Sequence, residues 1–420
     1  RSYGAGSHVI LMAQPFSAFA KSLLERQHYP DLREYPGGPP QRPYDVTAHT
    51  LPLLLGVDVS AVPERFTADL EPVATPAVAA GRVDPRGRWL ALGHKNSDLV
   101  ALSRLLHARV PVRWSLAAFT DRGRAFPAGT LLVPSFARAR LAPLATELGV
   151  VAQGVEASPA ALTLRLPRVG LYQSFVPSMD EGWTRFVFEK EVGVDYTTLH
   201  DADIRGGGLE SRFDVIVIPD EPRRQIVNGN AEGSLPPEYV GGLGSEGVSA
   251  LKRFGEAGGT IVTLNEASRL AITDLGVAAT DVLAGPEPTG PPGGRRQPPR
   301  DTKDLFYCPG AILAVEADVA NPLAAGLEPR SIVWFEESPA FDVANGAVLR
   351  YPNADPLLSG WLLGGQRLQG KAALVESPIG KGRVVMFGFR PQYRAQSWAT
   401  YIALLNAIYT SAAQPPAGVH

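Results

Sequence analysis

The run of residues 213–220 constrains the fold of this chain more than any other stretch. It is apolar at nearly every position and ends in Pro219 and Asp220. A strand that is buried on both faces has to be apolar throughout, and a proline followed by an acid is typical of the loop that ends it. Such strands lie in parallel sheets with helices on both faces. The sequence therefore predicts an α/β domain built on a parallel sheet.

The fifty residues before this run predict the elements that precede it. Residues 169–172 are a short apolar run, and Ser178 with Glu181 three residues later has the pattern of a capping box that opens a helix. Trp183, Phe186 and Val187 follow at helical spacing, which predicts that they share one face of that helix. Gly193 is predicted to end the helix, and residues 196–199 to form the next strand. Strand, helix, strand and buried strand predict the start of a doubly wound parallel sheet.

Composition excludes several classes of function. The chain has 420 residues, 45% of them hydrophobic, and a formal net charge of -2. Its basic residues are scattered and balanced by acids, so it lacks the electrostatic signature of a nucleic-acid-binding protein. No apolar run is long enough to predict a membrane span. Cys308 is its single cysteine, which rules out an internal disulfide and a cysteine-based zinc cluster.

Two stretches share a pattern that predicts an internal repeat. Residues 1–7 and 124–130 carry arginine, an aromatic residue, Ala-Gly and a hydroxyl residue at the same offsets, and each precedes an apolar run. Around the second copy we predict strands at 89–92, 112–114 and 131–133 and a helix at 99–106 capped by Ser97. The first copy has only a predicted strand at residues 8–12. Because its opening half is missing and residue 1 is not Met, we expect the natural polypeptide to begin further upstream.

These patterns divide the chain into three predicted domains. Residues 1–75 are an incomplete α/β repeat with a proline-rich wrap at 29–44, residues 76–165 are a small α/β repeat domain, and residues 166–420 are the doubly wound domain. Within the last domain, Gly242, Gly244 and Gly247 have the spacing of the glycines in a dinucleotide-binding fingerprint. That fingerprint requires a strand directly before it, and none is predicted here, so we interpret these glycines as the start of a helix. Residues 284–300, rich in Pro, Gly and Arg, predict an irregular excursion.

Several segments carry a family resemblance. They are residues 168–220, 306–310 and 388–394, together with residues 14–16 and 35–46. The chain resembles in these segments the C-terminal portion of large bacterial proteins of the zinc metallocarboxypeptidase (carboxypeptidase A-like) family. The resemblance covers most of the chain but concerns accessory parts of those proteins. It implies that the last domain has a class I glutamine amidotransferase-like fold.

The same resemblance sets expectations about zinc, partners and location. The family binds its catalytic zinc through a His-x-x-Glu pair and a distant histidine, and none of the seven histidines here is followed by Glu three residues later. We therefore expect no catalytic residue, metal site or cofactor in this chain, and zinc only in a peptidase domain of the parent protein. That upstream domain is the expected partner and a peptide the expected substrate. A periplasmic or secreted location is implied by the family.

An amidotransferase-like fold would place a nucleophilic cysteine on the sharp turn after its central strand. That turn is predicted at residues 264–267, where Asn265 cannot attack a carbonyl. Cys308 lies away from any predicted strand-to-helix turn, and we favour a structural, partly buried thiol. The alternative is that Cys308 serves an independent amidotransferase-like hydrolase.

The predicted strand ends supply the candidate ligand contacts. Ligands bind at the carboxyl ends of strands in open α/β sheets. Asp180 and Glu181 begin the helix after the first strand, where they also complement the helix dipole, and Asp220 and Glu221 end the third strand. The alternation of Arg390, Gln392 and Arg394 predicts that both guanidinium groups point the same way, either to bind a carboxylate or to pair with Asp220 or Glu221. His94, Lys95 and Asp98 are predicted in a solvated loop.

These expectations favour one function and leave two alternatives. The favoured hypothesis is an accessory region of a zinc metallocarboxypeptidase-like protein that packs against the peptidase module and restricts or presents peptide substrate. The alternatives are the hydrolase that uses Cys308 and a peptide- or sugar-binding module that acts through the strand ends.

Overall fold

The computed structural model describes residues 2–4, 6–41, 43–76, 78–285 and 306–415. Most of the predicted excursion at residues 284–300 lies outside these residues. The fold is mixed α/β, with both parallel and antiparallel strand pairs. No helix among the described residues combines the length and the apolar character that crossing a bilayer requires.

The described strands form two sheets and one separate hairpin. Their bounds are β1 (Arg82–Val83), β2 (Trp89–Leu92), β3 (Arg113–Ser115), β4 (Phe119–Asp121), β5 (Arg124–Phe126), β6 (Leu131–Pro134), β7 (Val151–Val155), β8 (Ala161–Thr163), β9 (Val169–Tyr172), β10 (Thr197–Leu199), β11 (Val215–Ile218), β12 (Thr260–Leu264), β13 (Thr280–Asp281), β14 (Ala311–Ala317), β15 (Arg330–Phe335), β16 (Phe341–Asp342), β17 (Ala347–Arg350), β18 (Leu357–Ser359), β19 (Ala372–Ile379) and β20 (Gly382–Phe387).

The helices pack on these sheets or connect their strands. They are α1 (Ser17–Leu24), α2 (Leu51–Leu55), α3 (Asn96–His107), α4 (Arg138–Leu148), α5 (Met179–Phe186), α6 (Asp201–Arg205), α7 (Leu209–Arg212), α8 (Arg223–Asn228), α9 (Gly244–Ala257), α10 (Ser268–Thr273) and α11 (Trp398–Ser411). A π-helical segment, Val187–Val192, continues α5.

The first sheet has the strand order β1-β7-β2-β6-β3-β8. Only the β1 and β7 pair is parallel. All four residues of β2 are buried, as an apolar central strand requires, and the predicted strands near 89, 113 and 131 are confirmed. The predicted cap at Ser97 is wrong. Helix α3 begins at Asn96, with Lys95 as its N-cap residue. The Lys95 amide donates a hydrogen bond to the carboxylate of Asp98 in the first turn.

The second sheet holds the predicted buried strand near its centre. Strands β10-β9-β11-β12-β20 are parallel neighbours in that order, and β20-β19-β17-β14-β15 continue the sheet with antiparallel pairs. Every residue of β11 is buried. Val215 and Val217 belong to the core on one face, whereas Ile216 and Ile218 belong to the core on the other. The prediction of a strand buried on both faces is confirmed.

Helices cover both faces of the parallel strands. Leu251 of α9 and Leu270 of α10 lie in the core that contains Ile216. Phe188 of the π-helical segment and Leu404 of α11 lie in the core that contains Val215. The candidate site lies at the carboxyl ends of β9 and β11.

Two predictions about helix and strand faces are wrong. In α5, Phe186 is exposed and Trp183 only half-buried, while Glu181 and Thr184 are buried; of the three predicted face residues only Val187, at the start of the π-helical segment, is buried. The two polar residues are buried because the helix N-terminus faces the ion pairs described below. The predicted strand at residues 8–12 is absent from the described structure. Its apolar side chains stay exposed, since no described strand pairs with them as β2 and β3 pair with β6.

The N-terminal segment is instead attached to the second sheet as irregular chain with two short helices. The Thr47 amide and hydroxyl both donate to the carbonyl of Gly310, and His28 forms a bridge with Gly360. Ala48 and Leu54 pack with Trp334 on the antiparallel side of the sheet. The segment therefore wraps one end of the C-terminal domain. The predicted division into three domains stays a prediction.

Candidate functional site

A cavity of about 220 Å³ opens at the carboxyl ends of β9 and β11. We call it the strand-end crevice. Its walls are the loop that follows β9, residues 173–178, and the loop that follows β11, residues 219–221, together with Tyr172 and Glu181. The location follows from the topology, because the carboxyl ends of neighbouring parallel strands meet at one edge of the sheet.

Glu221 is the most unusual group of the crevice. It is buried, and the Ser174 hydroxyl donates a hydrogen bond of 2.7 Å to its Oε1 atom. Burial, together with the nearby carboxylates of Asp201 and Asp220, raises the pKa of Glu221 to about 7, although the Ser174 hydrogen bond acts in the opposite direction. A carboxyl group with this pKa exchanges a proton near neutrality, which is a property of groups that bind or transfer charge.

Aromatic residues and a second acid complete the surroundings of the crevice. The Tyr172 hydroxyl donates to Asp201 at 2.7 Å, and burial and that carboxylate raise the pKa of Tyr172. Phe175 stacks on His200 with ring centroids 4.7 Å apart, and the ring Nδ1 of His200 lies 2.8 Å from the carbonyl oxygen of Gln173. The crevice thus combines an apolar, aromatic wall with a buried carboxyl group.

Arg390 forms a buried ion-pair network directly beside the crevice. Its guanidinium lies 2.6 Å from Asp220, 3.2 Å from Asp180 and 3.2 Å from Glu336. Burial raises the pKa of Asp180 to about 6; Arg390 opposes this shift, and Asp220 and Glu336 add to it. Asp220 also accepts a hydrogen bond from the amide of Glu266, 2.9 Å away. The network therefore ties together the ends of separate chain segments.

The structure brings together five of the seven residues that the sequence singled out. Asp180, Asp220 and Arg390 share the ion-pair network, and Glu181 and Glu221 line the crevice. Glu181 is paired with Arg185 rather than open to a ligand. A role for these residues as ligand contacts stays a prediction.

The side chains of Gln392 and Arg394 do not point in the same direction as that of Arg390. Gln392 is buried and donates to the Thr184 hydroxyl at 2.8 Å. Arg394 is exposed, with its guanidinium 5.3 Å from the ring centre of Tyr393. The predicted alternation is wrong because the chain turns into a 3-10 segment at Tyr393–Ala395, in which Arg394 has a φ of 44°. The two guanidinium groups therefore do not point the same way.

Sequence reasoning missed three groups of the site. Ser174 and Asp201 follow β9 and β10 closely, so the rule that ligands lie at strand ends would have found them. Glu336 follows β15, on the antiparallel side of the sheet, and no local pattern links it to Arg390.

The predicted sharp turn after the central strand is confirmed. Asn265 follows β12 with a φ of 50°, and helix α10 begins three residues later. The side chain of Asn265 is fully buried, and neither polar atom of its amide has a hydrogen-bond partner among the described residues. Both a positive φ and an unpaired buried amide carry a cost in stability. The position is a strand-to-helix turn with a positive φ, and it holds an amide.

Cys308 lies away from this turn. The thiol is buried more fully than predicted, with its sulfur 3.6 Å from the carbonyl oxygen of Phe335. Burial raises the pKa of Cys308 to about 12. A thiol with this pKa carries almost no thiolate near neutrality, and the thiolate is the nucleophilic form.

The residues predicted in a solvated loop lie at a junction between the two sheets. His94 is buried, with Nδ1 2.8 Å from the carbonyl oxygen of Gly129 and Nε2 2.8 Å from Oδ1 of Asn406 in α11. Asp98 is also buried, and only Lys95 is exposed as predicted. The prediction is wrong for the two buried residues because α11 packs over the loop. No cluster of three or more potential metal ligands occurs among the described residues.

Comparisons with known proteins identify no family. No family model matches the chain, and no curated protein matches it. Among solved structures, a cytoplasmic protein from Salmonella typhimurium aligns with 58% of this chain and 99% of its own, at 13% identity and a TM-score of 0.31. A beta-galactosidase from Bacillus circulans sp. alkalophilus aligns with 59% of this chain and 31% of its own, at 11% identity and a TM-score of 0.31. An exo-beta-1,4-mannosidase from Opitutaceae bacterium strain TAV5 aligns with 59% of this chain and 36% of its own, at 11% identity and a TM-score of 0.30. Similarities this low establish no relationship and carry no functional argument.

Proposed function

We propose that this chain is the accessory, non-catalytic region of a zinc metallocarboxypeptidase-like protein. In this proposal it packs against a peptidase module of the same polypeptide and restricts or presents the peptide substrate. In this proposal the zinc is bound by that module, as the family resemblance implies. The family resemblance also favours a periplasmic or secreted location.

The strand order supports an amidotransferase-like identity for the last domain. Five parallel strands in the order β10-β9-β11-β12-β20 with helices on both faces fit a doubly wound sheet, and the sharp turn at Asn265 follows the strand second from the antiparallel side. We therefore propose a class I glutamine amidotransferase-like fold that has kept its architecture without the nucleophile. Proteins with the same fold often differ in whether they catalyse a reaction.

One observation carries the accessory role. Most of the large apolar side chains that are exposed in the described structure lie between Tyr3 and Val78, among them Leu11, Phe16 and Phe66. Exposed apolar side chains in such a concentration are typical of a surface that another protein covers. Since Thr47 and its neighbours attach this segment to the C-terminal domain, a partner bound to the segment would be held against that domain.

The two positions considered for a nucleophile disfavour the alternative of an independent hydrolase. Asn265 occupies the turn, and Cys308 is buried with a pKa of about 12. The alternative of a binding module is favoured by the strand-end crevice, which does not conflict with an accessory role.

An activity comparison tests this proposal. The purified chain should hydrolyse neither peptides with a free C-terminus nor glutamine, with or without added zinc. The longer polypeptide that includes the proposed peptidase module should release C-terminal residues in a zinc-dependent way. Hydrolysis by the chain alone that is lost on Cys308→Ser would overturn the proposal in favour of the hydrolase. Absence of a peptidase module from the natural polypeptide would also overturn it.

A further inference from the structure

The strand-end crevice contains a buried carboxylate that has no cationic partner among the residues the structure describes. The side chain of Glu221 is only 6% exposed. Its Oε1 atom accepts the hydroxyl of Ser174, whereas Oε2 has no hydrogen bond or ion pair with any described residue. A buried carboxylate is ordinarily paired, because removing the charge from water is costly. The crevice wall thus has one strong acceptor that the protein leaves open.

Of the nearby arginines, Arg185 and Arg390 pair with other acids, and Arg205 donates to the carbonyl of Gly242. Arg185 pairs with Glu181, the other carboxylate of the crevice wall. Arg390 pairs with Asp220, the residue next to Glu221 in the chain. Neither reaches Glu221, and the surrounding carboxylates make its environment more negative. A cationic ligand would therefore supply the missing partner.

The size and lining of the crevice limit what that ligand can be. A volume of about 220 Å³ is smaller than the pockets of ~300 Å³ or more that hold drug-sized molecules. Tyr172, Phe175, Val176 and Pro177 give it apolar walls. A divalent cation would need several oxygen ligands, and no cluster of three potential ligands exists among the described residues. An ammonium group on a small, partly apolar body fits both the charge and the space.

We propose that the strand-end crevice binds the primary ammonium group of an amino-acid-sized ligand or of a peptide end, with Glu221 as its counter-ion. Oε2 of Glu221 accepts a hydrogen bond from the ammonium, and Ser174 holds the carboxylate in place through Oε1. The apolar walls contact the carbon atoms next to the nitrogen. This binding site is independent of the accessory role proposed above, and it would exist whether or not a peptidase module is attached.

Calorimetric titration with three matched compounds tests the proposal. Alanyl-alanine amide carries an α-ammonium, N-acetyl-lysine amide carries a side-chain ammonium, and N-acetyl-alanyl-alanine amide carries neither. At pH 7.5 we expect at least one ammonium compound to bind with a dissociation constant below ~10 mM, and the neutral compound to bind at least about tenfold more weakly. The stronger of the two ammonium compounds identifies the source of the group.

Two variants assign the binding to Glu221. Glu221→Gln keeps the size of the side chain but removes its charge, and it should weaken binding of the ammonium compound by about tenfold or more. Glu246→Gln, an exposed acid on α9, is the matched control and should bind as the unaltered chain does. Melting curves establish that both variants are folded. Equal binding of the neutral compound, unchanged binding by Glu221→Gln, or no binding of either ammonium compound up to ~10 mM would each overturn the proposal.

Discussion

The guanidinium group of Arg390 lies 2.6 Å from the carboxylate of Asp220, and this contact joins the chain after β20 to the end of β11. Asp180 and Glu336 contact the same guanidinium from α5 and from the end of β15. The interaction is the pairing with Asp220, one of the two roles that the sequence predicts for Arg390. It fixes the loops around the strand-end crevice.

Removing Arg390 should destabilise the chain strongly. In Arg390→Ala the three carboxylates would stay buried beside one another without a cation, which costs on the order of 3 kcal/mol. Urea unfolding of the C-terminal domain should therefore shift to a clearly lower midpoint. Arg394→Ala is the control, because that side chain is exposed and lies over the ring of Tyr393 outside the network, and its stability should stay within about 0.5 kcal/mol of the unaltered chain. Equal midpoints for the two variants would contradict the network.

The turn at Asn265 should tolerate glycine better than alanine. Glycine adopts a positive φ without steric cost, whereas the Cβ atom of alanine costs about 1 kcal/mol there. Both substitutions remove the unpaired buried amide, so the comparison between them isolates the backbone conformation. Thermal unfolding should give a higher midpoint for Asn265→Gly than for Asn265→Ala. The reverse order would mean that the residue does not have the left-handed conformation.

Glu221 should make the chain less stable as pH rises toward neutrality. Its pKa is raised to about 7 in the folded state, so between its ordinary value near 4.5 and pH 7 the folded chain binds more protons than the unfolded chain. Stability from this group is therefore present below pH 4.5 and is lost as pH rises through 7, by about 3 kcal/mol. The charged groups that act on Glu221 are Asp201 and Asp220, whose carboxylates raise its pKa further.

Glu221→Gln isolates the contribution of Glu221 to this pH dependence. Unfolding midpoints measured from pH 5 to pH 8 should fall less steeply for this variant than for the unaltered chain. The variant should be the more stable of the two at pH 8. Parallel pH profiles would show that Glu221 has an ordinary pKa.

Cys308 should not react with alkylating reagents while the chain is folded. The thiol is buried and its pKa is raised to about 12. The reagent therefore cannot reach the sulfur, and the reactive thiolate form is scarce. Iodoacetamide at pH 7.5 should label the thiol only after urea unfolds the protein. Fast labelling of the folded chain would instead favour a catalytic thiol. Mass spectrometry of the labelled protein distinguishes the two results.

The parts of the fold that were predictable from sequence are those with a strong local signal. Residues 213–220 predicted a strand buried on both faces because nearly every position is apolar, and the turn at Asn265 followed from the strand before it and the helix after it. The residues at strand ends could be named because parallel topology brings those ends to one edge.

The failures arose where tertiary contacts decide the outcome. Residues 1–7 match the letters before β6, but the apolar side chains of residues 9–12 that follow them remain exposed because no described strand pairs with them. His94 looked like a loop residue, and only the packing of α11 buries it against Asn406. Glu336 reaches Arg390 through the folding of the antiparallel extension, which no local pattern predicts. The detail of the site therefore could not be predicted from sequence.

The most direct test of the accessory role is hydrogen–deuterium exchange over residues 3–78. The segment should exchange rapidly in the isolated chain, since much of it is irregular and its apolar side chains are exposed. In the longer polypeptide that carries the proposed peptidase module, we predict exchange of these residues to slow at least about tenfold, while β11 and β12 stay equally protected in both. Identical exchange of residues 3–78 in the two proteins would contradict the proposed docking surface.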